Sequence, residues 1–215
     1  MKTQTPIIII ILLIVIALFG WGLIRDESSI NNPPEINDNS LPPDWTYQSS
    51  TICQVDLPLP PQTETYTTDR GEYWRFQENP QSNQFFTHNA VVILQNPELG
   101  GSGYIAGAVI VSCQPNTENL SSTELASSYA DYLATQGASA PAEAQITLNI
   151  NRTTSLWGEN VVVASLAGGL FNPAEEIFIV ATPTTNYVIA KPAHSTDDFV
   201  RTTTNQIFEG LKLAN

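Results

Sequence analysis

The sequence predicts an α+β fold, in which an antiparallel sheet is packed by two main helices and preceded by one N-terminal transmembrane helix. Three observations carry this. The order of apolar segments is strands, helix, four strands, helix, without the alternation of a parallel βαβ chain. Two amphipathic helical patterns stand among many strand-like runs. The chain opens on an unbroken apolar stretch.

That stretch runs from Ile7 to Ile24, 18 residues with no charge and no strongly polar side chain. As a helix it is about 27 Å long, close to the hydrocarbon thickness of a bilayer. It is apolar all round, which disfavours a buried core helix. A cleavable signal usually has a core of roughly 7–15 residues and a small-x-small site. Here the best such site is Gly20-Trp21-Gly22, with Trp in its middle. A retained signal-anchor is the favoured reading, with Trp21 at the interface. The acidic residue near the start of type IV pilin helices is absent.

Residues 1–6 then form a short cytoplasmic N-terminus. Lys2 and the α-amino group lie before the span and Arg25 after it, so the basic bias is small and places the N-terminus inside. Beyond Arg25, six of the eight Lys and Arg remain against all 21 Asp and Glu, a formal charge of −15. The expected location is the cell membrane, single-pass, with residues 25–215 outside the cytoplasm. Such charge argues against nucleic acid, whose phosphates need Lys and Arg, and against anionic lipid.

Arg25 to Asp44, "RDESSINNPPEINDNSLPPD", is polar, has two Pro pairs and no aromatic residue. It reads as a disordered, semi-extended tether. The domain spans 45–215, enough for one core of ordinary size. "WTYQSSTICQVDLP" reads as a first strand from Trp45, then a Pro-rich extended piece to Pro61. "EYWRFQE" (72–78) is a strand. "NAVVILQ" (89–95) and "GYIAGAVIVSCQ" (103–114) form a hairpin around Gly100–Gly103. Their apolarity on both sides implies a sheet covered on two faces.

Residues 121–137 are a helix. Ser121 and Glu124 make a capping box, Leu125, Tyr129, Tyr132 and Leu133 share a face, and Gly137 is the stop. Strands follow at 144–153 and 159–168, then a hairpin over 175–193 turning at Pro183–Asn186. The last helix is expected over 195–213. Ser195 would cap it, Asp197 and Asp198 would face its positive end, and Lys212 its negative end. Val200, Thr203, Ile207 and Leu211 form its inner stripe.

Cys53 and Cys113 both lie in strand-like stretches of the exported part. A disulfide between them is expected there, and two buried free thiols are the alternative. Neither the cysteines nor the histidines show metal-ligand spacing, and no cofactor is implied.

Three places resemble the PsbP-like family over most of residues 45–214. They are the strand leading into "VDLPLPP", the helix "STELASSYADYLATQG" after a long apolar hairpin, and the ending "NYVIAKPAHSTDDFVRTTTNQIFEGLKL". The resemblance implies an α-β-α sandwich. PsbP is an extrinsic subunit supporting the oxygen-evolving centre of photosystem II, a related eukaryotic domain binds a nuclear GTPase, and bacterial relatives look like tethered surface proteins. The common implication is binding or assembly rather than catalysis. No short motif carries a functional residue across.

Chemistry is sparse. Gly101-x-Gly103-x-x-Ala106 opens a strand-like run, not the helix a dinucleotide site needs, and reads as a turn. Tyr104 breaks a Gly-x-Ser-x-Gly elbow. His88 and His194 are the candidate bases of an envelope hydrolase, with Ser102 or Ser195 as nucleophile, although Ser195 is better explained as a cap. Asn119-Leu-Ser and Asn151-Arg-Thr are glycosylation sequons. "TTDRGEYWRF" mixes charges and aromatics, so Asp69, Arg70, Glu72, Tyr73, Trp74 and Arg75 form a candidate binding edge. The plainer alternative is a strand with aromatics inward and charges outward. The expected function is a non-catalytic binding or assembly module whose partner is an envelope protein, a glycan or a small apolar ligand. The alternatives are the hydrolase and a passive spacer.

Overall fold

The computed structural model describes residues 41–79, 85–95, 107–138, 145–167, 176–191 and 197–214. The expected membrane helix at 7–24, the tether up to residue 40, the Gly100–Gly103 turn, Ser102, His194 and Ser195 lie outside them. Among the described residues no helix is long and apolar enough to cross a membrane.

The segment expected to be one strand from Trp45 is a hairpin of β1 (Thr46–Ser50) and β2 (Val55–Leu59), in register from Thr46↔Leu59 to Ser50↔Val55. The reversal needs no glycine. Gln54 takes φ 54°, and the buried Ser50 hydroxyl accepts the Cys53 N–H at 3.0 Å. Local side-chain bonds of this kind compete with strand continuation.

A 3₁₀ turn, Glu64–Tyr66, leads to β3 (Tyr73–Asn79), which pairs with β4 (His88–Gln95). β4 pairs with β5 (Ala108–Pro115) as expected. Helix α1 (Ser122–Gly137) carries the expected capping box at Ser121 and Glu124. β6 (Thr147–Leu156) and β7 (Glu159–Ala167) join through Trp157 and Gly158, both at positive φ (57° and 80°). Two consecutive left-handed residues are what a type I′ two-residue hairpin turn requires. β8 (Glu176–Ala181) and β9 (Thr185–Lys191) form the next hairpin.

Helix α2 runs only over Asp198–Glu209, capped by Asp197, whose carboxylate accepts from the Phe199 and Val200 N–H groups at 2.9 and 3.3 Å. The expected end near 213 is wrong. A Cβ on Gly210 would come within 2.6 Å of Pro58 and 2.8 Å of Leu41, so the chain leaves the helix at a point of close approach. It then adds a two-residue strand, β10 (Lys212–Leu213), to β2. Lys212 is thus off the helix, its ammonium 3.6 Å from the centre of the Tyr47 ring.

The large sheet has the order β3-β4-β5-β9-β8-β7-β6, and all its pairings are antiparallel. The small sheet is β1-β2-β10. Alternation along the central strands splits the core in two. Phe178, Val180, Tyr187 and Ile189 face one side with Val55, Leu57, Val200 and Ile207, beneath the small sheet and α2. Ile177, Ile179, Ala181 and Val188 face the other, with Leu125, Ala126 and Tyr129 of α1. The expected α+β architecture with two helices is observed.

Candidate binding edge

Cys53, in the β1–β2 turn, and Cys113, on β5, form the expected disulfide, with Cα atoms 5.6 Å apart. It fastens the small sheet to the middle of the large one. Both sulfurs are buried, at 0% and 2% exposure. The Tyr187 hydroxyl donates to the Cys53 carbonyl at 3.0 Å, and burial holds that phenol above its ordinary pKa.

β3 is an edge strand, because the large sheet begins with it. The six candidate residues at its start separate into three kinds. Asp69 and Arg70 are exposed in the turn before it, and Arg75 is exposed on the strand. Tyr73 is half-buried. Trp74 is core, at 1% exposure, against the position where a Gly107 Cβ would sit and beside Val200. Glu72 is 7% exposed and accepts from the Thr68 hydroxyl at 3.0 Å.

The first half of this edge is covered by its own chain. Thr67 bridges Tyr73, the Thr68 N–H donates to the Glu72 carbonyl at 3.1 Å, and the Gln62 amide donates to the Trp74 carbonyl. Among the described residues nothing covers the second half of the edge, from Arg75 onward. A hollow of about 400 Å³ opens along Arg75, Phe76, Gln77 and Glu78. The Arg75 guanidinium donates to the Gln95 side chain at 2.9 Å. Phe76 and Glu78 belong to the expected strand but not to the six candidate residues, because edge position follows from sheet order, which the local pattern does not encode.

The charges around the domain sharpen the picture. Arg152 and Lys191 both pair with Glu176, at 2.8 and 3.5 Å, and Arg201 pairs with Asp198 at 2.5 Å. Among the described residues, Arg70 and Arg75 have no acidic partner within ion-pair distance. Both lie at the β3 edge.

His88 lies on β4 opposite Cys113, half-buried, with Nδ1 2.9 Å from the Thr87 hydroxyl. Among the described residues it has no carboxylate to orient it and no buried nucleophile beside it. Those residues also hold no group of three or more His, Cys, Asp or Glu placed to bind a metal ion. Asn119 is exposed at φ 53°, and Asn151 is exposed at a β-bulge of β6.

No family model matches the chain. No curated protein matches it. Among solved structures, the chain is similar to the solution structure of cyanobacterial PsbP from Synechocystis sp. PCC 6803. The two are 11% identical with a TM-score of 0.48, over 79% of this chain and 92% of that one.

Proposed function

We propose that this chain is a membrane-anchored, extracytoplasmic, non-catalytic binding or assembly module that engages another envelope protein through the β3 edge. The observation that carries the reading is the placement of Arg70 and Arg75. They are exposed, without an acidic partner among the described residues, on a domain of strongly negative charge. Unpaired surface charges of the minority sign select a partner and steer its approach more than they stabilise the fold. The location is supported by the apolar run 7–24 and by the Cys53–Cys113 disulfide, which belongs to an oxidising compartment.

The test is site-specific photocrosslinking in cells with the full chain. A crosslinker at Arg70 should capture one defined envelope protein, and one at exposed Ser127 on α1 should not. Equal capture from both positions would remove the edge from the reading. Rescue of a deletion strain by an unrelated folded domain on residues 1–40 would reduce the protein to a spacer.

A further inference from the structure

We infer that the open half of β3 receives an added β-strand from a partner protein, and that this strand carries a carboxylate facing Arg75. This deepens the proposed function and rests on it. The first step is the direction of the backbone. Trp74 lies opposite Leu94, and the Leu94 N–H donates at 2.9 Å to the Gly107 carbonyl, away from β3. A residue of an antiparallel strand turns its N–H and C=O to one side, so Trp74 turns both outward. The Gln62 bond to its carbonyl agrees. The strand repeats every two residues, so Phe76 and Glu78 also present their N–H and C=O outward. Among the described residues nothing pairs with them there. Two adjacent outward residues offer four backbone hydrogen bonds beside the hollow at Arg75–Glu78, which is the way an extended peptide docks on a sheet edge.

The opposite edge is built differently. β6 has a bulge between Ile150 and Arg152, and its exposed side chains are mostly polar, including the charged Arg152, with Ile150 the exposed apolar one. A bulge and a charge on an edge disfavour strand addition. On β3 the protection given by the described residues, through Gln62 and Thr67, stops at Trp74.

A second copy of this chain is a poor occupant. Two β3 edges meeting around a two-fold perpendicular to the sheet place residues of like parity opposite each other. Arg75 would then face Tyr73, Gln77, Asn79 or another Arg75, none of them acidic. A different chain is required to supply the carboxylate.

The experiment pans a random 12-residue peptide library displayed on phage against the purified full chain, then synthesises the enriched peptides. The expected peptides alternate apolar and polar residues and share an Asp or Glu. They should slow hydrogen exchange at the Phe76 and Glu78 amides. Glu78→Pro removes one outward N–H and spares the β4 ladder, a change edge strands tolerate. It should weaken binding at least tenfold with the melting temperature retained, whereas Glu78→Ala should not. Arg75→Ala should abolish the preference for acidic peptides. Enriched peptides that ignore Glu78→Pro and leave both amides unprotected would overturn strand addition, and so would a failure to enrich any. Crosslinking from Arg70 decides the underlying reading separately. Capture of a partner there, with strand addition overturned, leaves a module that binds by side chains alone.

Discussion

Tyr187 joins the large sheet to the turn of the small one at a single oxygen. Its ring stands edge-on to Trp157 at 5.4 Å, its hydroxyl is bonded to the Cys53 carbonyl, and it is 1% exposed. Desolvation raises its pKa above 10.0 in the folded state, so the neutral phenol is favoured there. Its contribution to stability is complete below the unfolded value and is lost as pH rises through the folded one. Tyr187→Phe should cost about 1 kcal/mol at neutral pH and should flatten the fall in melting temperature as pH rises above about 10. Glu124 works in the other direction. Its hydrogen bond from the Ser121 side chain, then that from the Ser121 N–H, holds its pKa below the ordinary value. Its contribution is present above the unfolded pKa and is lost as pH falls through the folded one. Glu124→Gln should therefore lower the melting temperature at pH 7, and the difference from wild type should vanish in acid.

At the scale of elements, α2 is seated by a missing side chain. A Cβ on Gly107 would lie 2.6 Å from a Val200 methyl, 2.8 Å from the Trp74 ring and 3.2 Å from the Thr204 hydroxyl. The first two neighbours are buried core and have little room to move. Gly107→Ala should destabilise by about 1–3 kcal/mol, read as a shift of the urea midpoint with unchanged slope. The sequence disclosed much at this level. The box at Ser121 and Glu124 and the apolar runs of β4, β5, β8 and β9 obey local rules, so α1 and the middle of the sheet were legible. Two turns were not. Neither Gln54 nor Trp157 is a usual left-handed residue, and each is held by tertiary bonds. The Gln54 carbonyl accepts from Ala214, and the Trp157 indole donates to the Leu211 carbonyl. No window of neighbouring residues contains those partners. The candidate edge was half legible for the same reason. Arg70 and Arg75 stand out by composition, but the outward backbone of Phe76 and Glu78 depends on β3 being last in its sheet.

For the whole molecule, the disulfide spans 60 residues of sequence and links the two sheets. Chain-entropy reasoning assigns such a closure about 4 kcal/mol. The double variant Cys53→Ser, Cys113→Ser should lose about that much in a urea titration, while retaining the β-rich circular dichroism of the parent. With both sulfurs buried, millimolar dithiothreitol should leave the bond intact in the native protein and reduce it once urea opens the fold. Rapid reduction without denaturant would contradict the packing around Cys53.

The described chain enters at Leu41, which packs on the core near Gly210, and goes straight into β1. A pull applied from that side therefore loads the small outer sheet first. It strips β1 from β2 one residue pair at a time, like a zipper, until it reaches Cys53. There the covalent link passes the tension to β5, in the interior of the large sheet, and the unravelling halts. The domain is thus built like a seat belt, yielding slack at its margin and then locking. In a pulling experiment on the native protein, the chain between Cys53 and Cys113, a sequence separation of 60, stays hidden from the extension. It appears as added length only when the disulfide is reduced.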